Sequence, residues 1–140
     1  MEEQLENFIL DNNLLGDDTY ITNGDILLKK SALDPWCYIT DLLIKIQTKT
    51  PIHMEYIPYD KGIEVTCPDK IDLWSNAILA VPFGDKFFNY EYLKLVHILT
   101  EDISFYTLVP PSEKFENSPW ILKFWDGNGE FVGCLAEIVR

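Results

Sequence analysis

Apolar and polar residues alternate along several stretches of the chain, and this pattern predicts β-strands. The clearest case is Ile63, Val65 and Cys67, which alternate with Glu64 and Thr66. A period of two places successive side chains on opposite faces of a sheet. Short apolar runs that end at proline, glycine or polar residues predict further strands within residues 77–85, 103–111, 120–125 and 130–139.

Turn sequences join these predicted strands into hairpins. The pair Asn23-Gly24 stands between two apolar runs and is typical of a two-residue hairpin turn. Residues 52–68 are predicted to form two strands around residues 60–62. Near the end of the chain, Asp126 to Gly129 predict another hairpin turn, in which the glycines supply positive φ.

Apolar residues three and four positions apart predict helices in three segments. The first is Glu2–Leu15, which ends before Gly16, and the third is residues 89–102. Residues 35–49 fit a helix capped by Asp34 with Pro35 in its first turn, but alternation at residues 42–47 fits a strand as well. We prefer the helix for this segment. The predicted buried face of the third helix is Tyr92, Leu95, Val96 and Leu99.

The order of these elements predicts one domain that covers residues 1–140. Strands arrive in pairs with short turns, and helices do not alternate regularly with them. The predicted fold class is therefore α+β, with a mainly antiparallel sheet and two to three helices.

The net charge of the chain indicates most about the kind of partner that the protein binds. Its 140 residues include 23 acidic and 11 basic ones, for a formal net charge of -12, and Arg140 is the only arginine. A nucleic-acid surface needs clustered basic residues to neutralise phosphates, and the sequence has no such cluster. A field of one sign speeds association with molecules of the opposite sign. The composition favours a basic protein partner over nucleic acid, with acidity for solubility alone as the alternative.

The hydropathy of the chain predicts a cytoplasmic protein without membrane contact. No apolar run approaches the roughly 20 residues of a membrane helix, because residues such as Asp41, Lys45 and Asp72 interrupt the candidates. The N-terminus is acidic, whereas a signal peptide begins with basic residues.

Residues 125–133, with the sequence WDGNGEFVG, invite two chemical interpretations that both fail. A dinucleotide loop needs a shorter spacing than that between Gly129 and Gly133, and too few residues follow for a βαβ unit. A calcium loop starting at Asp126 would find Glu137 at its last ligand position. However, Phe131 stands where that loop requires glycine, and both flanks alternate like strands. The hairpin turn is the better interpretation.

Catalytic and metal-binding signatures are lacking in the sequence. Cys37, Cys67 and Cys134 are odd in number and far apart, which argues against a disulfide framework. His53 and His97 have no zinc-ligand spacing, and no serine stands in a nucleophile elbow. We therefore predict no metal, no cofactor and no catalytic residue. A small enzyme or ligand-binding domain with a site built from scattered residues stays an alternative, as does a structural subunit of a larger assembly.

The aromatic residues add a candidate binding surface. Trp120 and Trp125 lie five positions apart on one predicted strand and so point to opposite faces of the sheet. Unless both faces are covered, one of them is exposed, and exposed aromatic residues are typical of protein interfaces. The predicted partner-binding residues are acids and tryptophans near one another in sequence: Asp60, Glu64, Asp72, Trp74, Asp85, Glu91, Trp125 and Asp126.

These observations predict an acidic interaction or inhibitor module that binds a basic protein. Immunity proteins, which neutralise bacterial toxin nucleases, are an example of this class. Such an inhibitor occludes a phosphate-binding cleft with carboxylates and needs no catalytic residues. Only the composition of the chain supports this functional class, because no motif in the sequence identifies a family.

Overall fold

The computed structural model describes residues 15–35, 61–75, 78–111 and 118–138. Within these ranges the chain forms ten β-strands, one α-helix and a short 3-10 helix at Lys30–Ala32. The strands are β1 (Leu15–Gly16), β2 (Tyr20–Thr22), β3 (Ile26–Lys29), β4 (Ile63–Val65), β5 (Asp72–Ser75), β6 (Ile78–Phe83), β7 (Lys86–Asn89), β8 (Phe105–Val109), β9 (Ile121–Trp125) and β10 (Phe131–Ala136). The helix, α1, is Tyr90–Leu99.

Seven of these strands form one large sheet, in the order β1-β2-β3-β10-β9-β8-β4. Every neighbouring pair in this sheet is antiparallel. Strand β10 pairs with β3, where Gly133 lies opposite Leu28. The last hairpin of the chain therefore completes the sheet that the first hairpin begins.

The predicted hairpin at Asn23-Gly24 is confirmed. Strands β2 and β3 pair antiparallel on either side of it. Oδ1 of Asn23 accepts hydrogen bonds from the amides of Asp25 and Ile26, at 3.0 and 3.1 Å. Gly24 has a φ of 96°, a left-handed conformation that glycine adopts without steric cost.

The predicted hairpin turn at Asp126–Gly129 is also confirmed. The amide of Gly129 donates to the carbonyl of Asp126 at 3.1 Å. Oδ1 of Asp126 accepts from the amides of Asn128 and Glu130, each at 2.9 Å. Gly129 has a positive φ of 77°, whereas Gly127 does not, so the expectation that both glycines supply positive φ is corrected for Gly127.

The other three strands form a small antiparallel sheet in the order β5-β6-β7, and α1 packs on β6 and β7. The helix begins directly after β7, where Oδ1 of Asn89 accepts from the amides of Glu91 and Tyr92. This satisfies two of the free amides of a helix N-terminus. The predicted third helix is thus confirmed. Tyr92 is half-buried, and the buried side chains are Leu93, Leu95, Val96 and Leu99.

Buried apolar side chains form two separate clusters, one on each face of the large sheet. The main core lies between the inner face of this sheet, the small sheet and α1, and includes Leu28, Phe83, Phe88 and Leu99. Burying one side chain of this size contributes about 1.5–3 kcal/mol. The opposite, outer face carries a smaller cluster of Leu27, Ile121 and Cys134.

The predicted α+β class with two to three helices is wrong. The part of the chain that the structure describes is mainly β, with two antiparallel sheets and one α-helix. In the described ranges no helix is long and apolar enough to cross a membrane.

At the end of the predicted helix Glu2–Leu15, strand pairing takes the place of the expected helical turn. Leu15 and Gly16 pair with β2 as strand β1, around a turn in which Oδ1 of Asp17 accepts from the amides of Thr19 and Tyr20. Backbone pairing and a side-chain-supported turn override the helical spacing of apolar residues here.

Other predictions concern residues outside the described ranges. These are the rest of the first helix, the helix or strand at residues 36–49, the strand before residue 60, and Asp60 itself.

We predict that Gly133→Ala destabilises the protein by about 3 kcal/mol, because overpacking a tight backbone contact is costly. A Cβ atom at this position would collide with the carbonyl oxygen of Leu27 and would lie 3.2 Å from Cα of Leu28. The measurement is urea unfolding followed by tryptophan fluorescence.

The control for this prediction is Gly24→Ala, where a Cβ atom has no neighbour within 4 Å. That substitution carries only the cost of a left-handed conformation, about 1–2 kcal/mol. A loss at residue 133 no larger than the loss at residue 24 would contradict the steric argument.

Candidate functional site

Three aromatic rings form a continuous cluster at one end of the outer face of the large sheet. The rings of Phe105 and Trp125 stack with their centroids 6.0 Å apart and an interplanar angle of 9°. Phe131 meets Trp125 edge-on, at 5.8 Å and 74°. All three side chains are half-buried. We call Phe105, Trp125 and Phe131 the aromatic patch.

Strand register brings these rings together. Trp125 of β9 lies opposite Phe105 of β8 and opposite Phe131 of β10. The register of β10 shifts between Phe131 and Gly133, so Val132 is an extra residue in a β-bulge. Because side chains alternate along a strand, Phe131 would otherwise share a face with Gly133. The bulge places it beside Trp125 instead.

A short hydrogen-bond chain fixes the orientation of the Trp125 ring. Its Nε1 donates to Oγ1 of Thr107 at 2.8 Å. The same hydroxyl donates to the carbonyl oxygen of Lys61. Both ring systems are further contacted by a cation, because Nζ of Lys61 lies 5.0 Å from the centroid of Phe105 and 5.3 Å from that of Trp125. The patch thus already binds an ammonium group through its ring faces.

Two exposed glutamates are neighbours of the aromatic patch, one across the sheet and one along the chain. Glu64 of β4 lies directly opposite Thr107 and so faces the same side of the sheet as Trp125. Glu130 immediately precedes Phe131 in the hairpin. Neither carboxylate forms an ion pair with any residue that the structure describes, so both are available to a cationic group from outside.

Two other carboxylates near the patch hold the hairpin in place. The carboxylate of Asp126 accepts the hydrogen bonds from the turn amides described above. Asp102 accepts from the amide of Gly127 at 3.0 Å and from the hydroxyl of Ser104 at 2.9 Å. The side chain of Asp126 therefore has a structural role, and its contact with a partner stays a prediction.

The structure brings together Glu64, Trp125 and Asp126 of the predicted contact residues, and places the others elsewhere. Asp85 lies exposed in the turn between β6 and β7, and Glu91 lies exposed in the first turn of α1. Asp72 belongs to β5 and forms an ion pair with Lys70 at 3.6 Å. Trp74 also lies in β5, and Asp60 lies outside the described ranges.

The two tryptophans of the C-terminal hairpin lie on opposite faces, as predicted. Trp120 packs against the main core, and its backbone amide donates to Oε1 of Glu137 at 2.9 Å. Nζ of Lys86 lies 4.9 Å above its ring. Trp125, in contrast, belongs to the aromatic patch. The sequence indicates Trp125 as a binding residue but carries no signal for Phe105, Phe131 and Lys61.

The residues in the middle of the outer face are buried, and the thiol among them is unreactive. Lys123 is only 5% exposed, and its Nζ lies 5.8 Å from the ring of Phe131. Burial raises the pKa of Cys134 to about 12, with the charge of Lys123 acting in the opposite direction. A thiol with this pKa is protonated at neutral pH and is a poor nucleophile.

A second cluster of ionisable groups lies on the inner face of the large sheet. The hydroxyl of Tyr106 lies 2.7 Å from Nε2 of His97 and is hydrogen-bonded to the thiol of Cys67. The sequence shows Cys67 and His97 as separate candidate residues and carries no signal that Tyr106 joins them.

Desolvation shifts the pKa of each member of this cluster towards the uncharged form. Burial raises the pKa of Cys67, and the carboxylate of Asp69 raises it further. Burial also raises the pKa of Tyr106, to about 12, and desolvation lowers the pKa of His97. Nucleophilic cysteines need the opposite shift, towards the thiolate. The cluster is therefore a hydrogen-bond network that supports packing.

No group of three or more histidine, cysteine, aspartate or glutamate side chains in the described ranges is arranged to hold a metal ion. No protein-family model matches the chain, and no curated protein or solved structure matches it either. Among the described residues, the aromatic patch with Glu64 and Glu130 is the most distinctive candidate for a binding surface.

Proposed function

We propose that this chain is an acidic interaction module that binds a basic protein through the aromatic patch, with Glu64 and Glu130 as its charged rim. The observation that carries the proposal is the position of Lys61, whose ammonium group lies over two of the rings. Half-buried rings beside exposed carboxylates form a surface suited to lysine or arginine side chains.

The charge of the whole chain supports the same partner. With a net charge of -12, the protein attracts a basic surface over a distance and repels nucleic acid and other acidic molecules. An inhibitor that covers the active site of a cytoplasmic basic enzyme, such as a toxin nuclease, needs only these properties. We therefore place the protein in the functional class that includes immunity proteins, acting in the cytoplasm without direct contact with nucleic acid or membrane.

The test of this proposal is a pull-down from the native host at low and high salt, with mass spectrometry of the bound proteins. Wild-type protein is compared with the double variant Glu64→Gln/Glu130→Gln. A charge-matched control is Asp18→Asn/Asp25→Asn, which removes two exposed carboxylates near the opposite edge of the large sheet.

We expect the double variant at Glu64 and Glu130 to slow association with the captured partner by about tenfold at low salt. Long-range attraction accelerates association of oppositely charged proteins, and salt screens it. Surface plasmon resonance over a range of salt concentrations measures the effect. Equal rates for this variant and the Asp18/Asp25 control would show that total charge, and not this rim, governs association.

Lys61→Met is predicted to tighten the complex by about fivefold, because a cation–π contact of about 1 kcal/mol no longer has to be displaced by the partner. The readout is the dissociation constant from calorimetry. Lys94→Met removes the same charge from α1 and serves as the control. Weaker binding after loss of the Lys61 ammonium would mean that Lys61 contacts the partner favourably or only orders the rings.

Charge reversal of the more distant acids, Asp72→Lys and Asp85→Lys, is predicted to slow association without unfolding the protein. Asp85 is exposed, and the ion pair of Asp72 with Lys70 is solvent-accessible, so each substitution costs at most about 1 kcal/mol of stability. Association rates are measured beside thermal unfolding. Unchanged rates would remove these two positions from the binding surface.

A further inference from the structure

A cavity of about 290 Å³ opens beside the connection between β4 and β5. Val81 of β6 and Leu93 of α1 are buried and form its apolar floor. Sites for drug-sized ligands have volumes of roughly 300–1,000 Å³, so this cavity suits a smaller molecule with a single ring or a short alkyl chain. The other described residues that line it are Cys67, Pro68, Asp69, Lys70, Ile71 and Tyr90.

The charged groups at the cavity mouth leave one carboxylate uncompensated. Asp69, Lys70 and Ile71 are all exposed there. The ammonium group of Lys70 is 3.6 Å from the carboxylate of Asp72. The carboxylate of Asp69 has no hydrogen bond or ion pair with any residue in the described ranges. The cavity therefore presents a negative charge above an apolar floor.

The nearby N-terminus of α1 does not reverse the negative charge of the cavity. The helix dipole places partial positive charge at Tyr90. However, the side chain of Asn89 already accepts hydrogen bonds from the amides of Glu91 and Tyr92. Glu91 adds a carboxylate to the same turn. An anionic ligand would thus meet occupied amides and two nearby carboxylates.

We infer that this cavity binds a small organic amine, with its ammonium group on the carboxylate of Asp69 and its apolar part on Val81 and Leu93. Tyr90 also lines the cavity, and an aromatic ring there adds a cation–π contact for the same ammonium group. This site shares no residue with the aromatic patch and is independent of the proposed protein partner.

The thiol of Cys67 provides a reporter inside the cavity. It lines the wall and is half-buried, whereas Cys134 is buried away from solvent. A ligand seated on Val81 and Leu93 covers the Cys67 thiol and should slow its alkylation. Peptide mass spectrometry after iodoacetamide treatment assigns the reaction to each cysteine.

The experiment uses benzylamine and its neutral analogue benzyl alcohol as probes of the full chain at pH 7 and low salt. Calorimetry and the rate of Cys67 alkylation are measured for wild-type protein and for Asp69→Asn. Asp25→Asn removes an exposed carboxylate from the turn between β2 and β3 and is the matched control.

We expect benzylamine to bind about fivefold tighter than benzyl alcohol, the gain of one exposed ion pair. Asp69→Asn should abolish this preference, Asp25→Asn should retain it, and saturating benzylamine should slow Cys67 alkylation severalfold. Equal affinity for the two probes, equal effects of the two variants, or unprotected Cys67 at saturation would each overturn the proposal.

Discussion

The close approach of β10 to β3 at Gly133 is the constraint on which the rest of the structure depends. The carbonyl oxygen of Leu27 occupies the space that any side chain at residue 133 would need. This contact joins two hairpins from opposite ends of the chain into one seven-stranded sheet. Strand β9, which carries Trp125, is then held between β10 and β8. This pairing therefore sets the geometry of both the main core and the aromatic patch.

Core and candidate binding surface share the same strands and are separated only by the alternation of side chains. Phe124 is fully buried in the main core, while its neighbour Trp125 belongs to the outer face. Leu28 and Leu27 divide in the same way between the two clusters. A slip of one residue in strand pairing would exchange the two sets of side chains. Correct register therefore determines both the packing of the core and the composition of the aromatic patch, and the steric fit at Gly133 opposes such a slip.

Local chemistry was predictable from the sequence, and long-range register was not. The turns at Asn23-Gly24 and Asp126–Gly129 and the helix after Asn89 depend on neighbouring residues, and the structure confirms them. The α+β class was wrong because the described residues form two antiparallel sheets beside a single α-helix. At Leu15–Gly16, pairing with a neighbouring strand replaces the predicted end of a helix. At the candidate site, the opposition of Trp120 and Trp125 followed from alternation. The proximity of Phe105, Phe131 and Lys61 to Trp125 could not be predicted from alternation, because it depends on strand order and on the bulge at Val132. The meeting of Tyr106 with Cys67 and His97 likewise depends on how α1 lies against the sheet.

The bulge at Val132 makes one short stretch of the hairpin contribute to both faces of the large sheet. Val132 is 2% exposed and belongs to the main core, whereas Phe131, directly before it, packs on the outer face. Deletion of Val132 would make Phe131 alternate directly with Gly133, so Phe131 would keep its outward position while the core lost a buried side chain. A change of chain length at this site therefore acts on the core, and lineages of this fold can vary the aromatic patch more freely by substitution than by insertion or deletion.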